Sequence, residues 1–104
     1  MFEHLLGNVQ QQQAELQQKL AGIFVEAEAG DGAVKVMAGA DMHLENIKLD
    51  AAKLGLSDVE QLEDLLVVAV NRALEEARKR SGEETGKLIQ GMFPFGNIKD
   101  FLGQ

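Results

Sequence analysis

Apolar residues recur through the first part of the chain at Leu6, Val9, Leu16, Leu20 and Ile23. This spacing sets Val9, Leu16 and Ile23 on one seam of a heptad and Leu6, Gln13 and Leu20 on the other. The pattern predicts an amphipathic helix with one polar intruder, and the glutamine run at residues 10–13 lies within it because Gln is a good helix former. Gly22 closes the helix. The period then drops to two, with Ile23, Val25, Ala27 and Ala29 alternating with Phe24, Glu26 and Glu28, as in a half-buried strand. The GDG at residues 30–32 supplies positive-φ residues for a tight hairpin, and AVKVMAG follows with Val34 and Val36 flanking an outward Lys35. After a second turn near residues 39–41, HLENIKL at residues 43–49 puts Ile47 and Leu49 on one face and Asn46 and Lys48 on the other. The expectation is a three-stranded antiparallel meander, whose single apolar face needs a cover.

The cover is announced by Ser57-Asp58-Val59-Glu60, a capping box in which Ser57 accepts a backbone N–H and Glu60 reaches back. Val59, Leu62, Leu66, Ala69, Val70, Ala73 and Ala77 then recur at three- and four-residue intervals, a stripe wide enough to cover a sheet and touch another helix. The apolar run LLVVAV at residues 65–70 has the look of a buried strand, but the cap before it and the charged helix formers after it decide for helix. Ser81-Gly82 is expected to end or weaken that helix, with Gly86 and Gly91 punctuating the chain beyond it. The predicted fold class is α+β in the order helix, three-stranded meander, long helix, with one domain over residues 1–91 and a separate tail over residues 92–104.

Composition narrows the function. The 104 residues are 45% hydrophobic, enough for one small core that dimerisation would help. With no cysteine there is neither a disulfide framework nor a thiolate zinc site. The N-terminus lacks a basic region followed by an apolar core of signal-peptide length. The longest apolar run, residues 65–70, falls far short of the roughly 20 residues of a membrane span, so the expected location is the cytoplasm and no membrane partner is expected. A formal net charge of -7 argues against nucleic-acid binding through bulk charge, and neither half is basic.

Catalytic chemistry finds no foothold. GEETGKL at residues 82–88 contains a Gly-Lys pair, but its glycine spacing is one residue short of a phosphate-binding loop, Leu88 replaces the Ser or Thr, and a helix precedes it. His4 and His43 lie on different elements with Asp41 two residues from His43, and no set of three or more metal ligands is read as converging. No nucleophile-base-acid ordering appears, and neither an enzyme nor a cofactor is expected.

Basic residues cluster in one place, VNRALEEARKR at residues 70–80. On a helical wheel Arg72 and Lys79 share an edge while Arg78 points elsewhere, so the bases form no single stripe. Glu76 is four residues from Arg72 and Arg80, and Glu75 is four from Lys79 and three from Arg72 and Arg78, giving every base a neighbouring carboxylate. Asp58, Glu60, Glu63 and Asp64 at the helix start and bases at its end would also suit the helix dipole. The stretch reads either as a compensated helix end or as a grip for an acidic ligand.

The succession VKVMAG, IKLD and LEDLLVVAVNRALEEA resembles the YbaB/EbfC family of bacterial nucleoid-associated proteins over nearly the whole chain to about residue 90, most specifically at residues 34–39 and at residues 62–77 with Asn71 inside. The resemblance implies a tweezer-like homodimer located at the nucleoid. Its sheets would form the body, and its helices would project as prongs that bind duplex DNA with little sequence preference, without enzymatic activity or cofactor. Where family members often carry lysines on the first helix, this chain has glutamines with Lys19 as the one base. The candidate DNA-contacting residues, chosen by charge, are Arg72, Arg78, Lys79 and Arg80, with Lys19 and Lys87 behind them. The alternative is an interaction module: MFPFGNIKDFL at residues 92–102 gathers Met92, Phe93, Phe95, Ile98, Phe101 and Leu102 in a composition suited to docking a protein partner in a groove. The plainer reading of that tail is a segment packed on its own or its mate's body, or a disordered one.

Overall fold

A computed structural model describes residues 2–55 and 58–92, with side chains from residue 10 to residue 91. The order is α1 (Phe2–Ala21), β1 (Phe24–Ala29), β2 (Val34–Gly39), β3 (Leu44–Leu49) and α2 (Val59–Met92). The strands form one antiparallel sheet in the order β1-β2-β3, the expected meander. Ser57 and the apolar tail beyond Met92 lie outside the described residues, so the capping role given to Ser57 and the docking role given to the tail are not addressed by them.

Turn chemistry sets the sheet. Gly30, Asp31 and Gly32 all adopt positive φ, at 66°, 55° and 85°, and the Ala33 N–H closes the turn on the Gly30 carbonyl at 3.1 Å. A Cβ on Gly30 would meet Leu65 Cδ1 at 3.0 Å, so this glycine also lets α2 approach the hairpin. At the second turn Asp41 accepts the His43 backbone N–H at 3.3 Å and faces its ring at 3.1 Å, a local bond that helps hold Met42 at φ 71°. Strand β3 then begins at Leu44, one residue later than the sequence pattern places it. Its register with β2 slips between Met37 and Ala38, so Ala38 pairs with Leu44 where strict alternation would bring Glu45. This bulge keeps a carboxylate off the apolar face.

The core is made of small residues. Ala69, Ala73 and Ala77, one turn apart on α2, are fully buried against Ala29, Val34, Val36 and Ala38 of the sheet. Alanines bring the helix axis close to the strands, and the flanking Leu62, Leu65, Leu66 and Val70 are half-buried around them. Val59, placed on the stripe by spacing, is instead 61% exposed as the first residue of the helix. Helix α2 packs on β1 and β2, and every residue of β3 is exposed. Ile47 and Leu49 share the core-facing side with Val36 and Val34, their cross-strand partners, yet nothing among the described residues covers them.

The Asp58 carboxylate accepts the Gln61 N–H at 2.9 Å at the start of α2. One expectation about this helix is corrected. The helix passes through Ser81-Gly82 and Gly86 without a break and runs 34 residues to Met92. A glycine inside a helix costs about 1 kcal/mol relative to alanine, too little to stop one that is pinned on both sides. Here Arg80 pairs with Glu83 and Glu84 across Gly82, and Lys87 with Glu84 across Gly86.

Candidate nucleic-acid interface

The continuation of α2 changes what the basic stretch is. Arg72, Arg78, Lys79 and Arg80 sit in the middle of the helix, and its last turn carries no base, so complementing the helix dipole does not explain them. All four project from one long rod, but toward different neighbours. Arg72 donates from Nη1 to the backbone carbonyl of Glu28 at 2.9 Å, pinning α2 to β1. The expected pairing of Arg72 with Glu75 or Glu76 does not form, because its guanidinium reaches the sheet. Arg78 pairs with Glu75 at 2.8 Å and Lys79 with Glu76 at 3.4 Å, both one turn back toward the N-terminus. Arg80 turns the other way, to Glu83 at 3.2 Å and Glu84 at 3.3 Å, and not to Glu76.

Lys19 and Lys87 are brought together with Arg80 by Glu84. Lys19, in the last turn of α1, places Nζ 2.9 Å from Glu84 Oε2, and Lys87 lies 3.3 Å from Oε1. Lys19 stands off the aligned direction, so Oε2 has a close cation but no well-directed hydrogen bond. The Glu84 side chain is 3% exposed. Its carboxyl is nonetheless held below the usual carboxylate range, first by the short Lys19 contact and then by Lys87, which together outweigh the opposing effect of burial. Sequence reasoning missed this residue. The signal was available in part: Glu84 is seven residues past Ala77, two turns further along the same buried stripe. The approach of Lys19 from another helix has no local signature.

The six sequence-selected cations therefore gather as one group of three around Glu84, a separate pair at Arg78 and Lys79, and an anchoring arginine at position 72. Among the described residues no group of three or more His, Asp or Glu side chains converges as metal ligands, and no helix is long and apolar enough to cross a membrane.

The model of the YbaB/EbfC DNA-binding family matches residues 2–92. The chain belongs to that family. A nucleoid-associated protein of Moorella thermoacetica is 44% identical over 88 residues, spanning 85% of this chain and 79% of the relative. One from Pelotomaculum thermopropionicum is 37% identical over 91 residues, spanning 88% and 81%. A crystal structure of an uncharacterized Helicobacter pylori protein superposes with a TM-score of 0.71 at 18% identity, covering 85% of this chain and 92% of that one, a likeness of fold. Membership of a nucleoid-associated, DNA-binding family agrees with the resemblance read from residues 34–39 and 62–77, and the observed helix, meander and long helix match the fold expected from it.

Proposed function

We propose that the protein binds duplex DNA as a homodimer at the nucleoid, with little sequence preference, through Arg and Lys contacts to phosphates. The observation that carries this reading is the family match along residues 2–92. The physical support is the exposed second half of α2, where Arg78, Lys79 and Lys87 stand at the surface and Arg80 is part-exposed. Their pairs with Glu75, Glu76 and Glu83 are exposed and worth about 0–1 kcal/mol each, so a phosphate can displace those carboxylates at small cost. Residues 71–80 hold four bases and two acids, a local positive excess on an acidic body. Backbone contacts of this kind position a protein on DNA without reading sequence.

Support for the homodimer is the uncovered side of β3, where Leu44, Ile47 and Leu49 are 45%, 42% and 49% exposed beside the core. A second copy seated there would bury an apolar strip that the monomer leaves in water. We place the tail from residue 92 outside the DNA-contacting domain, in keeping with the end of the family match at Met92.

The test is fluorescence anisotropy with a labelled duplex of about 30 base pairs at several salt concentrations, because the slope of log affinity against log salt falls by roughly 0.9 per phosphate contact removed. Wild type is expected to bind at low salt with a steep slope. The variant Arg78→Gln, Lys79→Gln, Arg80→Gln should bind with a slope flatter by about 2 to 3. Arg72 is left intact because it holds α2 to the sheet. A wild-type protein that fails to bind at low salt overturns the reading, and binding with an unchanged slope in the variant removes these residues from it.

A further inference from the structure

Lys19, Arg78, Lys79, Arg80 and Lys87 on the helices are ion-paired and Arg72 is bonded to a backbone carbonyl, whereas Lys35 and Lys48 of the sheet and Lys53 of the turn after it make no ion pair within 4.0 Å among the described residues. Lys35 of β2 and Lys48 of β3 are cross-strand partners, and both point away from the core to which Val34 and Val36 turn. Lys53, from the turn after β3, folds back so that its Nζ donates to the Asp31 carbonyl at 2.9 Å. The three line one open depression with Gly32 at its edge. A Cβ on Gly32 would lie 3.4 Å from Lys53 Nζ and 3.7 Å from Lys35 Cε, so the missing side chain keeps this space open between them.

Two physical features set the group apart. Like charges directly opposite on neighbouring strands are unfavourable, and Lys35 and Lys48 are so placed. The ion pairs within 4.0 Å among the described residues use Lys19, His43, Arg78, Lys79, Arg80 and Lys87, and none uses Lys35, Lys48 or Lys53. Asp50 lines the depression, and Glu28, the partner of Lys35 on β1, stands beside Gly32. Asp50 spends one oxygen on the Ala52 N–H at 3.0 Å. An arriving phosphate would therefore have no ion pair to break here, in contrast to every ion-paired cation on the helices.

We propose that Lys35, Lys48 and Lys53 form a second phosphate-contacting site, on the outer face of the sheet, which takes backbone phosphates of the same duplex DNA. The inference rests on the DNA-binding reading and adds a site to it. Phosphate at this position offsets the mutual repulsion of Lys35 and Lys48, and each phosphate that the lysines neutralise releases counterions condensed on the DNA.

The experiment repeats the salt titration with Lys35→Gln, Lys48→Gln, Lys53→Gln beside the triple helix variant, which removes the same net charge. The sheet variant is expected to flatten the slope by about 2 to 3, one contact for each lysine. All three positions are exposed, and thermal melting at low salt should show the sheet variant folded at the titration temperature, the lost Lys53 bond to the Asp31 carbonyl being offset by relief of the Lys35–Lys48 repulsion. A slope equal to wild type in the sheet variant, with or without a uniform loss of affinity, overturns this site while binding by wild type keeps the broader reading. Absence of binding by wild type overturns both.

Discussion

Glu84 shows how one residue decides the local chemistry of this protein. A carboxylate with a 3% exposed side chain would ordinarily be neutral or displaced, since burying an uncompensated charge is costly. Lys19 at 2.9 Å and Lys87 at 3.3 Å keep it ionised, and Arg80 pairs with the same carboxylate at 3.3 Å. Because its pKa in the folded protein is lowered, the group stabilises the fold fully above the unfolded carboxylate range, about pH 4.3 for Glu, and loses that contribution as pH falls through the lowered value. Denaturant unfolding of wild type and Glu84→Gln across roughly pH 7 to 3 should show wild type more stable by a constant margin near neutrality, and the margin should close on acidification. A margin that persists unchanged at the acid end would contradict the charged role of Glu84.

At the scale of the element, α2 combines a tight and a loose half. From Ala69 to Ala77 its contact face is alanine, locked to β1 and β2. Beyond Glu84, among the described residues, only Thr85 and Gly86 remain half-buried, and Leu88 and Ile89 are 36% and 37% exposed. Gly82 has open space around its Cα and an ordinary helical φ, so a methyl group added there meets nothing. Gly82→Ala is accordingly expected to stabilise the protein by about 0.5–1 kcal/mol. Slower hydrogen exchange of amides on both sides of residue 82 would accompany it, whereas destabilisation would show that the helix depends on a bend at this glycine.

The whole molecule is elongated, with a radius of gyration of 19.2 Å against about 13 Å for a compact domain of this length. Its largest fully buried side chains among the described residues are Val34 and Val36, while Phe24, Leu44, Ile47 and Leu49 are exposed. A core of that size is marginal for a single chain, and an uncovered strand beside it gives a second copy something to complete. On the proposed homodimer, Ile47→Asp with Leu49→Asp is expected to leave a monomer in sedimentation equilibrium, with a lowered melting temperature and weakened DNA binding. Sedimentation of this variant at the same mass as a dimeric wild type would move the interface away from β3.

The elements were legible because their causes are local. Heptad spacing before Gly22, alternation from Ile23 to Ala29, three consecutive turn-forming residues at the hairpin and the Ala69-Ala73-Ala77 stripe each follow from side-chain period and backbone freedom within a few residues. The course of α2 past Gly82 was not legible, because glycine punctuation is weak and the ion pairs that bridge it become neighbours only once the helix exists. The six helical cations could be chosen by charge, but whom they face was decided in three dimensions: Arg72 by the sheet edge, Lys19 by the approach of α1 to Glu84. The same holds for Lys35, Lys48 and Lys53. Strand alternation turns the first two outward, but their union with Lys53 depends on strand register and on the turn after β3. Sequence by itself determined the periodicities, the turns and the family. Tertiary structure alone decided that Lys19 meets Glu84, that Arg72 is spent on the sheet, that three lysines gather beside Gly32 and that one apolar face is left uncovered, because these depend on distances between residues far apart in the chain.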